Sequence, residues 1–475
     1  LKLSIGYPVI TYSRDLTLQS YLGQGVNGTG QVPTMTGNFG LIDKDTPKDA
    51  YTITSQYDGS ELQLVFSDEF NVDGRTFYPG DDPFWEAVDL HYWQTNNLEW
   101  YSPDAITTSG GSLLITLSET PTHDLAYQSG MIQSWNKFCF TGGYIEVSVR
   151  LPGTASVGGL WPAIWTMGNL GRAGYGASLD GMWPYTYDTC DLGTLPNQTY
   201  DGQPELAAMG GSKGKPLSYL PGQRLSACTC GDDADHPGPR NNDGSYVGRN
   251  VPEIDIFEAQ TSGETGLGQV SQSAQFAPFD MYYNWNNGTD AVTIYDTSLT
   301  SQNSFAGNTY QEAAILLTTT DQNCYQTGGT GCYSVYGFEY KGGNNGYINW
   351  VSNNQPAWTM NSNAIQANTE SMIGERIISQ EPMYMILNLG LSRNFGTINF
   401  DQLTFPAIIA VDYIRVYQDK NNMNVGCDPD GFPTSAYIEK YVVLTVPWLC
   451  SANLTTWDQY GGIKPPNRLV DQCSS

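Results

Sequence analysis

Val251-Pro252-Glu253-Ile254-Asp255-Ile256-Phe257-Glu258-Ala259-Gln260 sets three acids into an otherwise apolar run. In a strand, successive side chains alternate between faces. Glu253 and Asp255 therefore share one face, and Ile254 and Ile256 share the other. Plain alternation puts Phe257 beside Asp255 and sends Glu258 to the apolar side. One extra residue, a β-bulge, returns Glu258 to the face of Asp255. The three acids then line one face with Asp255 in the middle. The simpler reading is a surface strand with three solvated acids. Ile254, Ile256 and Phe257 speak against it, because they give the opposite face a core.

Two facing carboxylates are what retaining glycoside hydrolysis uses. One attacks the anomeric carbon; the other protonates the leaving oxygen and later activates water or a sugar hydroxyl. The separation required is about 5–5.5 Å. An acid between them can hold the nucleophile by a hydrogen bond and keep the two pKa values apart.

The run Glu253-Ile254-Asp255-Ile256-Phe257-Glu258 resembles the ExDxxE signature of glycoside hydrolase family 16 in its bulged, laminarinase-like form. Other stretches follow in that family's order. Leu64-Val65-Phe66-Ser67-Asp68-Glu69-Phe70-Asn71 resembles its opening strand, and Trp161-Pro162-Ala163-Ile164-Trp165 its WPAxW strand. Met385-Ile386-Leu387-Asn388-Leu389 and Val411-Asp412-Tyr413-Ile414-Arg415-Val416-Tyr417 resemble its closing strands. More narrowly, the chain is similar to the fungal β-glucan synthesis-associated branch of cell-wall β-1,6-glucan assembly. The similarity there lies in 97–108, 133–144 and 271–280.

The resemblance implies an all-β fold, a β-jelly-roll (concanavalin-like) sandwich. It makes Glu253 the nucleophile, Glu258 the acid/base and Asp255 the assisting acid. The implied activity is a retaining β-glucan hydrolase or transglycosylase of β-1,6- or β-1,3/1,6-glucan assembly. The alternative is a glucan-binding or scaffold protein on the same fold without turnover. The intact acid trio argues against that alternative. No cofactor is required; the resemblance allows a structural Ca²⁺ on the convex face, with no ligand set to name. It also implies a cytosolic tail and a membrane anchor ahead of a luminal part. This chain, which starts at Leu1, then corresponds to the luminal part in the secretory pathway.

The chain has 475 residues, with 48 acids against 21 bases and a net charge of −27. Such a surface repels phosphate backbones and anionic membranes, which excludes nucleic acid as a partner class; a neutral polysaccharide is compatible with it. With 52 glycines, 26 prolines, 31 tyrosines and 12 tryptophans, the composition suits short strands and long turn-rich loops. No apolar run is long enough to span a membrane as a helix. Sequons at Asn27, Asn197, Asn287 and Asn453, together with nine cysteines, point to N-glycans, disulfides and an oxidising compartment. No CxxC pairing suggests zinc. An odd cysteine count leaves one without a partner in the chain. Cys139, between Phe138 and Phe140, is the candidate free thiol, and a bridge to a distant cysteine is the alternative. Cys324 and Cys332 should close a short glycine-rich loop, and at least two of Cys427, Cys450 and Cys473 should be bridged.

In chain order, 1–60 reads as an extension packed on the body, with Tyr7, Tyr12 and Tyr21 to pin it. Residues 61–419 read as the catalytic sandwich, interrupted by an insertion over 169–250. Residues 420–475 read as a disulfide-stapled extension. Leu62, Leu64 and Phe66, then Leu113, Ile115 and Leu117, alternate as half-buried strands. Gly142-Gly143 opens 144–152, another alternating strand ending at proline, with Ser148 where many family members carry arginine. The insertion is dense in glycine and proline and holds Trp183, Tyr185 and Tyr187. A loop of this length inside a domain is usually functional. Both its ends lie at the proposed cleft, which suggests a disulfide-tethered wall or lid; the plainer alternative is a decorative insertion remote from the ligand. Trp161 and Trp165 share a face, and their flat rings suit pyranose faces; core packing is the plainer fate of a tryptophan. Gln275 stands near the position where laminarinases often place a histidine, and its amide could bond a sugar hydroxyl. His91, His123 and His236 fit no metal or triad pattern.

Overall fold

The alternating stretches find their partners in two antiparallel sheets laid face to face. The computed structural model describes residues 40–445 and 454–473, save 212, 232, 234 and 279–282. One sheet runs in the order Thr300–Gln302, Gln311–Thr319, Gly268–Phe276, Glu253–Thr261, Leu160–Gly168, Met383–Leu391, Met131–Gln133, Glu86–Ala87. Gly307–Asn308 also pairs with Gln311–Thr319. The other sheet is built around Glu61–Asp68, Ala407–Gln418, Gly143–Arg150, Ser334–Lys341, Tyr347–Ser352 and Gln355–Asn361. Inward side chains of both sheets, among them Ile145, Val147, Ile254, Ile256, Phe257, Leu387 and Leu389, form the main core. This is the β-jelly-roll sandwich that the resemblance implied.

Gly143–Arg150 departs from the half-buried expectation. Its inner six residues are buried on both faces. The outer face is covered because Tyr144 packs with Tyr417, Leu62, Leu64 and Val351, and Ile42 and Ile53 close over that cluster. Thr52–Thr54 adds a strand beside Glu61–Asp68. The segment 40–60 therefore lies on the body. Tyr7, Tyr12, Tyr21 and the Asn27 sequon lie outside the described residues.

Four disulfides form: Cys139–Cys427, Cys190–Cys228, Cys230–Cys473 and Cys324–Cys332. The short-loop pair is as expected, and two of the three C-terminal cysteines are bridged. Cys139 is not a free thiol. The chain at Cys139 runs against the start of the C-terminal extension, where the Gly426 N–H donates to the Cys139 carbonyl at 2.8 Å. Cys450 and Asn453 lie outside the described residues. Of the remaining sequons, Asn287 is exposed and Asn197 half-buried.

The C-terminal extension lies on the insertion as well as on the sandwich. Cys230–Cys473 joins the two directly. Ala177 of the insertion packs with Leu444 and Trp457, and the Arg224 guanidinium sits 4.0 Å from the Trp457 ring centroid. Arg249, at the insertion's far end, makes a fully buried ion pair with Glu381 at 2.7 Å and donates to the Pro433 carbonyl at 2.7 Å.

Candidate active site

The strand Glu253–Thr261 pairs on one side with Gly268–Phe276 and on the other with Leu160–Gly168. Glu253, Asp255 and Glu258 stand opposite Gln275, Ser273 and Ser271 on the first neighbour. On the second they stand opposite Met167, Trp165 and Ala163. Both partner series step by two, so all three acids share one face. The register shifts between Asp255 and Glu258 supply the extra residue, and Ile256 and Phe257 both enter the core. The bulge is where the alternation required it.

The bulged backbone has its own donors. Gln272, opposite the bulge, donates to the Ile256 carbonyl at 3.1 Å and to the Val351 carbonyl of the other sheet at 3.0 Å. Trp350 Nε1 donates to the Asp255 carbonyl at 2.8 Å. A bulge opens the ladder, and buried carbonyls left there would be costly. Two side chains from between the sheets remove that cost.

Each acid also has a donor. Trp183 Nε1 donates to Glu253 Oε2 at 2.7 Å. Trp161 Nε1 donates to Glu258 Oε1 at 2.9 Å. Asp255 Oδ2 accepts from Ser273 Oγ at 2.6 Å and from Gln275 Nε2 at 3.1 Å. Burial, then repulsion from Asp255 and Glu258, holds the Glu253 carboxyl well above the usual range. Burial lifts Asp255 to about 6, against the lowering effect of Ser273 and Gln275. Burial, then the charge of Asp255, lifts Glu258 to about 8. Three carboxyls in one buried patch cannot all ionise, so the trio retains protons at neutral pH.

The three residues expected to touch sugar are tied up to different degrees. Trp161 is half-buried, and one face of its ring is stacked on Phe395 at 4.3 Å. Trp165 is buried and donates to Asn388 Oδ1 at 2.8 Å. Gln275 is buried, and its amide joins Asp255, Ser273 and Gln311. In this structure it stands opposite Glu253 on the adjacent strand and reaches Asp255 from there.

Several residues at the site escaped the sequence reading. Trp183 was noticeable only as an aromatic in a long loop. Behind Trp165, Asn388 donates to the Tyr101 hydroxyl, and Asn97 links Tyr101 to the fully buried Glu99, whose carboxyl burial lifts to about 8. Tyr92 lies within electrostatic reach of all three acids. No spacing rule announces such partners, because they come from separate strands. The histidines stay away from the trio's hydrogen bonds: His91 meets the Asn97 carbonyl, His123 lies on Trp100, and His236 stacks on Tyr246. Among the described residues, Asp321, Cys324 and Cys332 form the grouping nearest to a metal-binding pattern. Its two sulfurs are bonded to each other, so it offers one carboxylate. On the outer sheet, Glu69 is paired with Arg415 at 2.8 Å and Asp412 accepts from Ser148 at 3.3 Å. The calcium expectation gains no ligand set from either place.

The chain is 45% identical over 438 residues to the β-glucan synthesis-associated protein KRE6 of Saccharomyces cerevisiae, covering 92% of this chain and 57% of that protein. It is 45% identical over 433 residues to SKN1 of Candida albicans, covering 90% of this chain and 54% of that protein. The chain thus spans about half the length of these relatives. Among solved structures, an endo-β-1,3-glucanase from Pyrococcus furiosus matches 78% of this chain and 98% of its own, at 16% identity and a TM-score of 0.44. The family described as β-glucan synthesis-associated protein SKN1/KRE6/Sbg1 matches over residues 1–473, nearly end to end, and with relatives at 45% identity the chain belongs to that family.

Proposed function

We propose that this chain is a retaining β-glucan-active enzyme that acts in β-glucan assembly. The observation that carries the reading is the bulge that sets Glu253, Asp255 and Glu258 on one face, with an indole donor on each outer acid. Glu253 attacks the anomeric carbon, and Glu258 gives its proton to the departing oxygen. A glycosyl-enzyme forms on Glu253. Glu258, now a carboxylate, takes a proton from water or from a sugar hydroxyl as that oxygen attacks the anomeric carbon and releases Glu253. A Glu258 lifted to about 8 carries its proton at neutral pH, as the first step needs. While Glu258 stays neutral it repels Glu253 less, and Trp183 favours the Glu253 carboxylate. Asp255, held by Ser273 and Gln275, assists between them.

Transfer to a sugar acceptor competes with hydrolysis in this reading. The glycosyl-enzyme must be shielded from water and an acceptor hydroxyl oriented. The insertion supports this, since its Trp183 reaches the proposed nucleophile. So do the relatives, named for glucan synthesis. A secretory-pathway location accords with the four disulfides.

The test is product analysis on β-1,3-, β-1,6- and mixed-linkage glucan oligosaccharides, with Glu253→Gln alongside. Products longer than the donor are expected from the wild type and none from the variant. Shorter products alone, at every acceptor concentration, would leave a hydrolase. No turnover on any of these glucans, with equal binding by both proteins, would make the chain a glucan-binding scaffold.

A further inference from the structure

Glu253 has one side-chain donor among the described residues, and it comes from neither its own sheet nor its own strand neighbours. Trp183 follows the short helix Gly176–Leu179 in the insertion, and its N–H donates to the Leu179 carbonyl at 2.9 Å. The turn is pinned to the sandwich on one side, where the Val251 N–H donates to the Met182 carbonyl at 3.0 Å. On the other side it is pinned by the C-terminal extension. The Ala177 N–H donates to the Leu454 carbonyl at 3.0 Å, and the Trp457 N–H to Asp180 Oδ2 at 2.9 Å. Arg224, lying on the Trp457 ring, donates to the carbonyls of Ala177 and Ser178 at 3.1 and 3.0 Å. A Cβ on Gly176 would meet the Thr455 Cα at 3.0 Å, so the two backbones are in close contact. Beyond this clamp, the Cys230 N–H donates to the Pro466 carbonyl at 2.9 Å, and Cys230–Cys473 locks the extension to the insertion.

We propose that Trp183 is a positioning residue for Glu253, and that the C-terminal extension holds it there by clamping the turn that carries it. The proposal rests on the reading of Glu253 as nucleophile. A buried carboxylate must be presented in one rotamer to attack, and a single indole N–H both fixes that rotamer and favours the charged form against its burial. Burial pushes the other way, then Asp255 and Glu258 on its own strand; Tyr92 and Tyr384 lie within electrostatic reach of it as well. Among the described residues, the Trp183 hydrogen bond is what lowers Glu253 against these effects. The residue that tunes the proposed nucleophile is therefore fixed by a segment about 270 positions further along the chain.

The test uses Trp183→Phe, which keeps a ring and removes the donor. Its kcat should fall about ten- to a hundredfold, the worth of a hydrogen bond to a charged group, with KM little changed. The acidic limb of kcat/KM should move to higher pH, because losing the donor raises Glu253 further. A limb that stays in place would overturn the positioning role. A second readout does not need turnover. The Trp183 indole ¹⁵N–¹H signal, assigned by its loss in Trp183→Phe, should move when the acids titrate and shift in Glu253→Gln. If wild type turns over no glucan but the signal still responds, the proposed function fails and the positioning stands. If the signal ignores both, the positioning fails. For the clamp, the double variant Cys230→Ser/Cys473→Ser should shift the Trp183 signal and lower kcat. An unchanged signal and kcat in that variant would remove the extension from the site.

Discussion

At the scale of single residues, the site is a problem of proton number. Three carboxyls share a buried face, each with one or two donors, and burial raises them all. A neutral Glu258 and an ionised Glu253 are what the proposed first step requires, so kcat/KM should be bell-shaped. Its basic limb should reflect Glu258, lifted to about 8. Glu258→Gln should abolish that limb along with most activity on substrates that need leaving-group protonation. The same shift has a stability consequence. In the unfolded chain Glu258 ionises near its ordinary 4.5, in the folded chain near 8. Between those values the folded state binds the extra proton, so the wild type loses stability as pH rises through the window. Glu258→Gln should therefore gain little over the wild type at pH 4.5 and most above pH 8. Denaturant midpoints measured across that range check it; a gain that shrinks with pH would contradict the burial of this acid.

At the scale of elements, the bulge is the device that makes a site from a strand. It is held open from within the sandwich by Gln272 and Trp350, which take the carbonyls of Ile256 and Asp255. Gln272→Leu would keep the volume and remove the donor to two buried carbonyls, those of Ile256 and Val351. The loss should be about 1–3 kcal/mol for each carbonyl left without a partner, read by equilibrium unfolding. A loss below about 0.5 kcal/mol would mean that the backbone finds another donor. The acid strand's alternation and its break were legible in Glu253–Glu258, because a strand's faces follow from its period. The donors were not, since Gln272 reads like any residue of a buried strand. Gly143–Arg150 shows the complementary failure. Its alternation was real, but the outer face was covered by Leu62, Leu64, Ile42 and Ile53. Period says which residues share a face, not what lies on it.

At the scale of the molecule, the C-terminal extension is part of the fold's closure. Cys139–Cys427 spans 288 residues and Cys230–Cys473 spans 243. Long closed loops such as these limit the unfolded chain most in the chain-entropy picture. Non-reducing peptide mapping should recover both, together with Cys190–Cys228 and Cys324–Cys332. Recovery of free Cys139 would contradict the packing of its segment against the extension. Reduction should lower the thermal midpoint, and Cys324→Ser/Cys332→Ser should cost less than Cys139→Ser/Cys427→Ser, because its loop closes only eight residues.

The sequence by itself determined what is local. The alternation of Glu253, Asp255 and Glu258 with isoleucines called for a bulge, and strand period assigned the faces. The eight-residue separation of Cys324 and Cys332 called for a staple. Each follows from covalent geometry over a few residues. The tertiary structure alone decided that Cys139 meets Cys427, that Gln275 donates to Asp255, and that Trp183 reaches Glu253. It also laid the C-terminal extension across the insertion. These contacts join segments whose approach depends on the path of long loops. That path is set by which surfaces bury best against each other, a property of the closed sandwich that no window of sequence contains.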